Sequence, residues 1–248
     1  MRIIIFLTAA VGLVVLSGCG QGGRLKQQPC GMSEQRQVAG RSVQGRQIDV
    51  LTFGTGERTI LFLASIHGSE RAGTPLMEKF TEYLRENGQC RFLPDMRIVI
   101  IPVANPDGFA AKTRHNANNI DLNRNFPADN RENDKTKGLW AFSEPESRCI
   151  ANLIDIYKPK SVITFHEALN CIDYDGPAQG YADSLAIYCD IPVKRIGSRP
   201  GSLGSYTGNT LGIPIITLEF PASVRQMDGG QLWDKYGSLV IAMCDKMP

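Results

Sequence analysis

The sequence has little of what several common functions would require. Its 248 residues include only three histidines and two tryptophans, and the formal net charge is +2. The basic residues are scattered, so we do not expect nucleic-acid binding. None of the seven cysteines forms a Cys-x-x-Cys pair, which argues against a zinc cluster built from cysteines. No internal repeat or low-complexity segment is present, and the length suits one large α/β domain or two small ones.

The first residues have the layout of an export signal. Met1-Arg2 is followed by an apolar run over residues 3–16 that is short for a membrane span, and Leu16-Ser17-Gly18-Cys19 closes it. This last motif resembles a bacterial lipobox, which would make Cys19 the lipidated first residue of the mature protein. The alternatives are a plain signal peptide cut near Gly18 or a marginal membrane anchor. We predict a signal peptide over 1–18, a lipidated cysteine and tether over 19–42, and one domain over 43–248.

Export raises two further questions, which membrane holds the lipid anchor and whether the cysteines form disulfides. Gly20 stands where an aspartate would indicate retention at the inner membrane, so we predict an outer-membrane anchor if the cell has two membranes. An even number of cysteines remains besides Cys19, and an exported chain can form disulfides. The sequence does not choose among the pairings, and buried thiols are the alternative. These cysteines are Cys30, Cys90, Cys149, Cys171, Cys189 and Cys244.

The hydrophobic pattern predicts an α/β fold. Continuous apolar runs at residues 59–64, 96–103, 161–165 and 214–218 are typical of strands buried on both faces, and helical patterns separate them. A shorter alternating strand over 47–53 is followed by the turn signal Gly54-Thr55-Gly56, which predicts a hairpin with the next strand. We therefore expect a single domain with a mixed, mostly parallel twisted sheet and helices on both faces. We expect a monomer.

Candidate metal ligands follow two of these strands. His67 and Glu70 come directly after the run over 59–64, and His166 ends the run over 161–165. Open α/β sheets bind ligands at the carboxyl ends of their strands. Two imidazoles and one carboxylate leave zinc an open position for water, as in hydrolytic zinc sites. For any one of these residues alone, a structural role is the simpler interpretation. The occurrence of all three at the ends of buried strands favours a metal site instead.

A further acid follows another buried strand. Glu219 lies between Leu218 and Phe220, and a carboxylate in that setting has either a partner or a catalytic task. As a general base it would take a proton from water and pass it to the leaving amine. The alternative is a structural ion pair. Glu167 should point away from the site because it neighbours His166 on a strand, and His115 has no evident role.

Five motifs together resemble the zinc metallocarboxypeptidases of the carboxypeptidase A type. They occur in the family's order over about residues 43–244, and the segment 113–118 most resembles the short bacterial branch that includes murein peptide amidases. The motifs are His67-Gly68-Ser69-Glu70, Asn105-Pro106-Asp107-Gly108, Asp121-Leu122-Asn123-Arg124-Asn125-Phe126, Thr164-Phe165-His166 and Thr217-Leu218-Glu219.

The resemblance implies one Zn²⁺ ion and a role for each matching residue. His67, Glu70 and His166 match the metal ligands, and Glu219 matches the general base. Arg114 falls where the family polarises the substrate carbonyl, and a guanidinium there would stabilise an oxyanion. Asn123 and Arg124 match the pair that holds the terminal carboxylate of the substrate, for which the planar guanidinium of arginine is suited.

One part of the family pattern is absent. The tyrosine that covers the substrate has no clear match, because the segment over 191–208 differs, and we do not transfer its role to Tyr206. The same segment should line the pocket for the departing residue, with Leu203 or Gly204 near its floor. No acid in this segment predicts a basic side chain there, although charge could come from elsewhere.

The resemblance and the export signal together predict a substrate. We expect hydrolysis of a peptide amide bond next to a free carboxylate, in peptidoglycan stem peptides of the γ-D-glutamyl-diaminopimelate type. One alternative is deacylation of N-acyl amino acids, as in aspartoacylase-like enzymes. The other is a lipoprotein that binds wall peptides without catalysis, but such a protein would normally have lost a ligand or the base.

Overall fold

The computed structural model describes residues 31–92 and 94–248, without the side chain of Cys90. The predicted signal peptide, the lipidated Cys19 and most of the tether lie outside these residues, as does Cys30. Within the described part of the chain, no helix combines the length and apolarity needed to cross a membrane.

The described residues form a mixed sheet with helices between its strands. The strands are β1 (Glu34–Arg41), β2 (Gln47–Phe53), β3 (Arg58–Leu63), β4 (Met96–Ile101), β5 (Ser161–Asp175) and β6 (Ile215–Pro221). The helices are α1 (Gly73–Arg91), α2 (Pro106–Ala111), α3 (Pro145–Tyr157), α4 (Gln179–Leu185) and α5 (Gly229–Lys246). Short 3₁₀ turns cover Leu122–Arg124, Ala186–Tyr188 and Ala222–Gln226, and a π-helical turn covers Ser205–Thr210.

The strand order across the sheet is β1-β2-β4-β3-β5-β6. The four strands from β4 to β6 run parallel, whereas β1 and β2 are antiparallel to each other and β2 is antiparallel to β4. The parallel strands therefore end at one edge of the sheet. This is the edge at which open α/β sheets bind ligands.

Strand β5 reverses direction and flanks β6 on both sides. Its first half pairs with β6 in rising register, from Val162 opposite Ile215 to His166 opposite Glu219. Its second half pairs in falling register, from Cys171 opposite Glu219 to Asp175 opposite Ile215, so it returns along the other edge of β6. The residues between the two halves form a protruding turn at the carboxyl edge of the sheet.

Helices cover both faces of the sheet, as predicted. Alternate residues of each strand point to opposite faces, so Ile60 and Phe62 of β3 pack with α1, α4 and α5, while Leu61 and Leu63 pack with α3. Both cores consist of buried apolar side chains. Burial on two faces explains why these strands are continuous apolar runs in the sequence.

Two predictions about the N-terminal part were wrong. β2 and β3 do not form a hairpin, because β4 lies between them and pairs with both. The folded part also begins before residue 43, because β1 covers residues assigned to the tether and pairs with β2. Gln35, Arg36 and Gln37 of β1 are exposed at the edge of the sheet, so this strand has no hydrophobic alternation that a sequence could reveal.

The four cysteines whose side chains the structure describes are not paired. Cys149, Cys171, Cys189 and Cys244 are free, and three of them are buried. Burial raises the pKa of the Cys149 and Cys171 thiols to about 11. The three buried residues fit the buried-thiol alternative, and none of the four forms one of the predicted disulfides.

Candidate active site

His67, Glu70 and His166 converge at the carboxyl edge of the sheet. His67 and Glu70 lie in the loop between β3 and α1, and His166 lies on β5 beside that loop. Glu70 Oε2 is 2.9 Å from His67 Nδ1 and 2.8 Å from His166 Nδ1. All three side chains are buried, with residue exposures of 2%, 6% and 4%. The three donor atoms lie within 4.8 Å of one another, so one cation could contact all of them.

The chemistry of these donors suits zinc. Imidazole nitrogen and carboxylate oxygen are both common zinc ligands, and a three-ligand set leaves the open position of a hydrolytic site. Burial alone would raise the pKa of Glu70, but hydrogen bonds with His166 and His67 hold it well below its usual value. The carboxylate is therefore ionised and ready to bind a cation.

Asp121 lies behind the first histidine, and the sequence had assigned it no role of its own. Its Oδ1 atom is 3.1 Å from His67 Nε2, so the carboxylate fixes which imidazole nitrogen carries hydrogen and leaves Nδ1 free for a metal. Burial alone would raise the pKa of Asp121, but the hydrogen bond and charge of His67, with the charges of Arg114 and Arg124, lower it. The sequence feature that could have indicated this role is the position of Asp121 at the start of the motif that forms the 3₁₀ turn.

Glu219 faces the same cavity from the neighbouring strand. It sits directly opposite His166 in the parallel register of β5 and β6, so both side chains project to the same side at the same height. The side chain is half-buried, and Glu219 Oε2 accepts only a long hydrogen bond of 3.4 Å from the Leu169 backbone. Its carboxylate is thus turned to the cavity rather than to the interior.

Arg114 lines the same cavity as Glu219. Its Nη1 atom donates to Glu70 Oε1 at 2.9 Å, and its Nε atom donates to Asp121 Oδ2 at 3.1 Å. The side chain is 43% exposed, so part of the guanidinium can still meet a ligand. The two carboxylates hold the group at the metal-ligand cluster.

Asn123 and Arg124 form part of the cavity wall on the 3₁₀ turn. The Asp121 side chain begins this turn by accepting a hydrogen bond of 3.0 Å from the Asn123 backbone. Asn123 Oδ1 accepts from the Leu203 backbone N–H at 2.9 Å, which leaves the amide NH₂ of Asn123 available to a ligand. Burial lowers the pKa of Arg124, and an arginine remains charged after such a shift.

One cavity of about 260 Å³ joins all seven predicted site residues, and we call it the catalytic cavity. Its lining also contains two acids that the sequence analysis missed, Asp173 and Asp175, both buried on the returning half of β5. Asp173 Oδ1 accepts from the Ile196 backbone at 2.8 Å, and Asp175 accepts from the Ser198 hydroxyl. Their position could not be read from the sequence, because it depends on the reversal of β5.

Of the two residues predicted near the pocket floor, one lines the catalytic cavity. Gly204 lines the catalytic cavity, and a Cβ atom there would clash with Asp175 Oδ2, so only glycine leaves room for this carboxylate. Leu203 contributes its backbone but is itself buried in the core. Arg199 is exposed on the rim of the same cavity. The cavity therefore has acids at its floor and arginines on its wall and rim.

The side chains of three other residues take no direct part in the cluster. Tyr206 stacks with Phe126 at 5.8 Å between ring centroids and is not among the residues that line the catalytic cavity. His115 hydrogen-bonds Asn119 in a peripheral loop. The side chain of Glu167 points away from the metal ligands, as predicted, because its oxygens accept from the Ala72 backbone and from Arg225. Its backbone N–H donates to Glu70 Oε2 at 3.3 Å.

The fold is an α/β fold with a mixed sheet, and its site combines zinc-type donors with a carboxylate that faces them. Together these features define a metal-dependent hydrolase. A family model described as zinc carboxypeptidase matches residues 27–181. Murein peptide amidase A of Escherichia coli K12 is 32% identical over 179 residues, which are 65% of this chain and 70% of that protein.

Solved structures agree with this match. Murein-tripeptide amidase from Escherichia coli O157 superposes with a TM-score of 0.65 at 27% identity, covering 86% of this chain and 92% of that chain. Carboxypeptidase A from Helicoverpa armigera shows the same fold, with a TM-score of 0.68 at 20% identity over 86% and 69% of the two chains. The chain belongs to the zinc carboxypeptidase family. It is therefore a hydrolase with zinc as its cofactor.

Proposed function

We propose that this protein hydrolyses a peptide amide bond next to a free carboxylate, in the stem peptides of peptidoglycan. The scissile bond joins γ-D-glutamate to diaminopimelate. Relatives named murein peptide amidases support the substrate class, and the charges of the catalytic cavity support the particular bond. The N-acyl amino acid alternative does not account for the two acids, Asp173 and Asp175, in the lining of the cavity.

The metal ligands and the base have separate tasks in this proposal. His67, Glu70 and His166 would hold zinc, while Asp121 orients the first imidazole. Zinc, when bound, acidifies water and polarises a carbonyl group. Glu219 accepts a proton from the attacking water and gives it to the leaving nitrogen, for which its half-buried carboxylate at the cavity is suited.

The cationic groups position the substrate. Arg114, held by Glu70 and Asp121, offers its remaining N–H groups to the oxygen that gains negative charge in the transition state. The amide NH₂ of Asn123 and the guanidinium of Arg124 bind the free carboxylate beside the scissile bond. This places the side chain of the leaving residue against the floor of the cavity.

The acid pair at that floor is the observation that carries the choice of bond. Asp173 and Asp175 offer two buried carboxylates to a side-chain ammonium group, and a buried charge needs an opposite partner. Arg199 on the rim offers a guanidinium to a second carboxylate. Diaminopimelate is a leaving residue whose side chain ends in both an ammonium and a carboxylate, whereas lysine has only the ammonium.

We also propose that the protein is exported and held by a lipid on Cys19. The first described residues lie at the opposite edge of the sheet from the site, since the Met32 backbone N–H donates to Leu84 O near the end of α1. Labelling with a radioactive fatty acid, lost in Cys19→Ala, would test this anchor.

Digestion of purified stem peptides tests the proposed reaction. The zinc-loaded protein should release diaminopimelate faster than lysine, and lysine faster than alanine, from otherwise identical peptides, as identified by mass. Glu219→Gln should keep its zinc and lose activity by orders of magnitude, while the exposed Glu86→Gln on α1 should behave as wild type. Equal rates on the three peptides would refute the assignment of the bond, and an active Glu219→Gln would refute the role of the base.

A further inference from the structure

A second cavity adjoins the metal ligands on the other side of Glu167. Its volume is about 330 Å³, and we call it the arginine-lined cavity. Glu167 is the lining residue that it shares with the catalytic cavity. Its nearest walls are Ser69 and Arg71, which flank the ligand Glu70 in the chain, and Glu167, which follows the ligand His166. The remaining lining residues are Ala72, Pro75, Phe109, Val224, Arg225 and Met227.

Arg71 is held in this cavity by an aromatic ring rather than by an acid. Its guanidinium carbon lies 4.0 Å from the centroid of the Phe109 ring, and stacking of this kind fixes the plane of the group without using its N–H donors. Among the described residues, no carboxylate oxygen lies within ion-pair distance of Arg71. The half-buried guanidinium therefore keeps its donors free.

The other charges in the cavity nearly cancel. Arg225 Nε donates to Glu167 Oε2 at 3.0 Å, and Glu167 Oε1 accepts from the Ala72 backbone N–H at 2.8 Å. Both oxygens of Glu167 therefore already accept hydrogen bonds, and Glu167 does not form an ion pair with Arg71. The cavity is left with one uncompensated positive charge, beside the exposed hydroxyl of Ser69.

The direction of a bound substrate assigns this cavity to the acyl side of the bond. If the leaving residue fills the catalytic cavity and the scissile carbonyl lies at the metal ligands, the acyl residue must extend past Glu70 and His166. The arginine-lined cavity begins there. A γ-linked glutamate carries a free α-carboxylate on this side, whereas an ordinary α-linked residue does not.

We infer that Arg71, with Arg225 and Ser69, binds a carboxylate on the acyl side of the scissile bond. This inference rests on the proposed function and adds a requirement to it. The enzyme recognises both residues that meet at the bond, the leaving residue through the acids at the floor and the γ-linked acyl residue through Arg71. Conversion of the α-carboxylate to an amide should then protect the peptide from cleavage.

The test compares two stem peptides that differ only in that group, one with the free α-carboxylate of γ-D-glutamate and one with its primary amide. Wild type should cleave the carboxylate peptide with a kcat/KM about 10- to 100-fold higher, the range for loss of a hydrogen bond between charged groups. Arg71→Gln should lower this value to that of the amide peptide and leave the amide peptide unchanged. Arg71→Lys should retain part of the preference.

Arg91→Gln is the matched control, because Arg91 lies over the Phe92 ring at the far end of α1. It should keep the full preference of wild type. The inference is overturned if Arg71→Gln lowers both peptides equally or changes neither. If wild type cleaves neither peptide, the proposed function fails. The role of the arginine-lined cavity is then tested independently, by measuring the binding of both peptides to zinc-loaded Glu219→Gln. Tighter binding of the carboxylate peptide that disappears with Arg71→Gln supports it, and equal binding refutes it.

Discussion

Replacement of Asp121 by asparagine should weaken zinc binding without removing a ligand. The Asp121 carboxylate contacts His67 Nε2 and Arg114 Nε, both at 3.1 Å. An asparagine can present its single oxygen to one of these donors only, and its NH₂ then faces the other donor. The variant therefore loses the negative charge behind the imidazole and at least one charge-assisted hydrogen bond.

The size of the effect follows from those contacts. A hydrogen bond to a charged group contributes about 1.5–3 kcal/mol, and about 1.4 kcal/mol corresponds to tenfold in an equilibrium constant. We therefore expect the dissociation constant for zinc to rise by about 10- to 100-fold, as is typical when a carboxylate behind a histidine ligand is changed. Activity at saturating zinc should fall less than the affinity does.

Competition with a chromophoric chelator measures that constant. Asp49→Asn is the matched control, because Asp49 also pairs with an arginine, Arg36, but on the antiparallel edge of the sheet. The control should bind zinc as wild type does. If Asp121→Asn binds zinc within about twofold of wild type while circular dichroism shows an intact fold, the carboxylate does not support the ligand and our account of the site is wrong.

Four further predictions concern the cavity, the thiols and the core. Gly204→Ala should raise KM for peptides that release a cationic residue and spare those that release alanine, because a Cβ atom would displace Asp175; equal effects on both would contradict this. Burial raises the pKa of Asp173, so the preference for a cationic leaving residue should decline as pH falls through that raised value. A preference that grows on acidification would refute it. Cys171, with a pKa of about 11, should resist alkylation at pH 8 until the protein unfolds, as read by peptide mass mapping; rapid labelling of native protein would count against its burial. Phe80→Ala should lower the free energy of unfolding in urea by about 3–5 kcal/mol, because Phe80 is fully buried against Phe62, and a loss under about 1 kcal/mol would contradict the packing.

The folded core was accessible to sequence reasoning because its signals are local. Continuous apolar runs marked the buried strands β3, β4, β5 and β6, since a strand covered on both faces needs apolar residues at every position. Chemistry-bearing residues directly after such runs, such as His67 and Glu219, could be assigned to one edge of the sheet. The edge strand β1 was not predicted, because its exposed residues form no continuous apolar run.

What the sequence by itself determined is the set of strands and the residue types at their ends. What only the tertiary structure decided is which strands are neighbours and in what register. The insertion of β4 between β2 and β3 removed the expected hairpin, and the reversal of β5 brought Asp173 and Asp175 to the floor of the catalytic cavity. Both depend on pairings between distant parts of the chain. The local sequence pattern does not predict such pairings, because backbone hydrogen bonds are the same whichever strands they join.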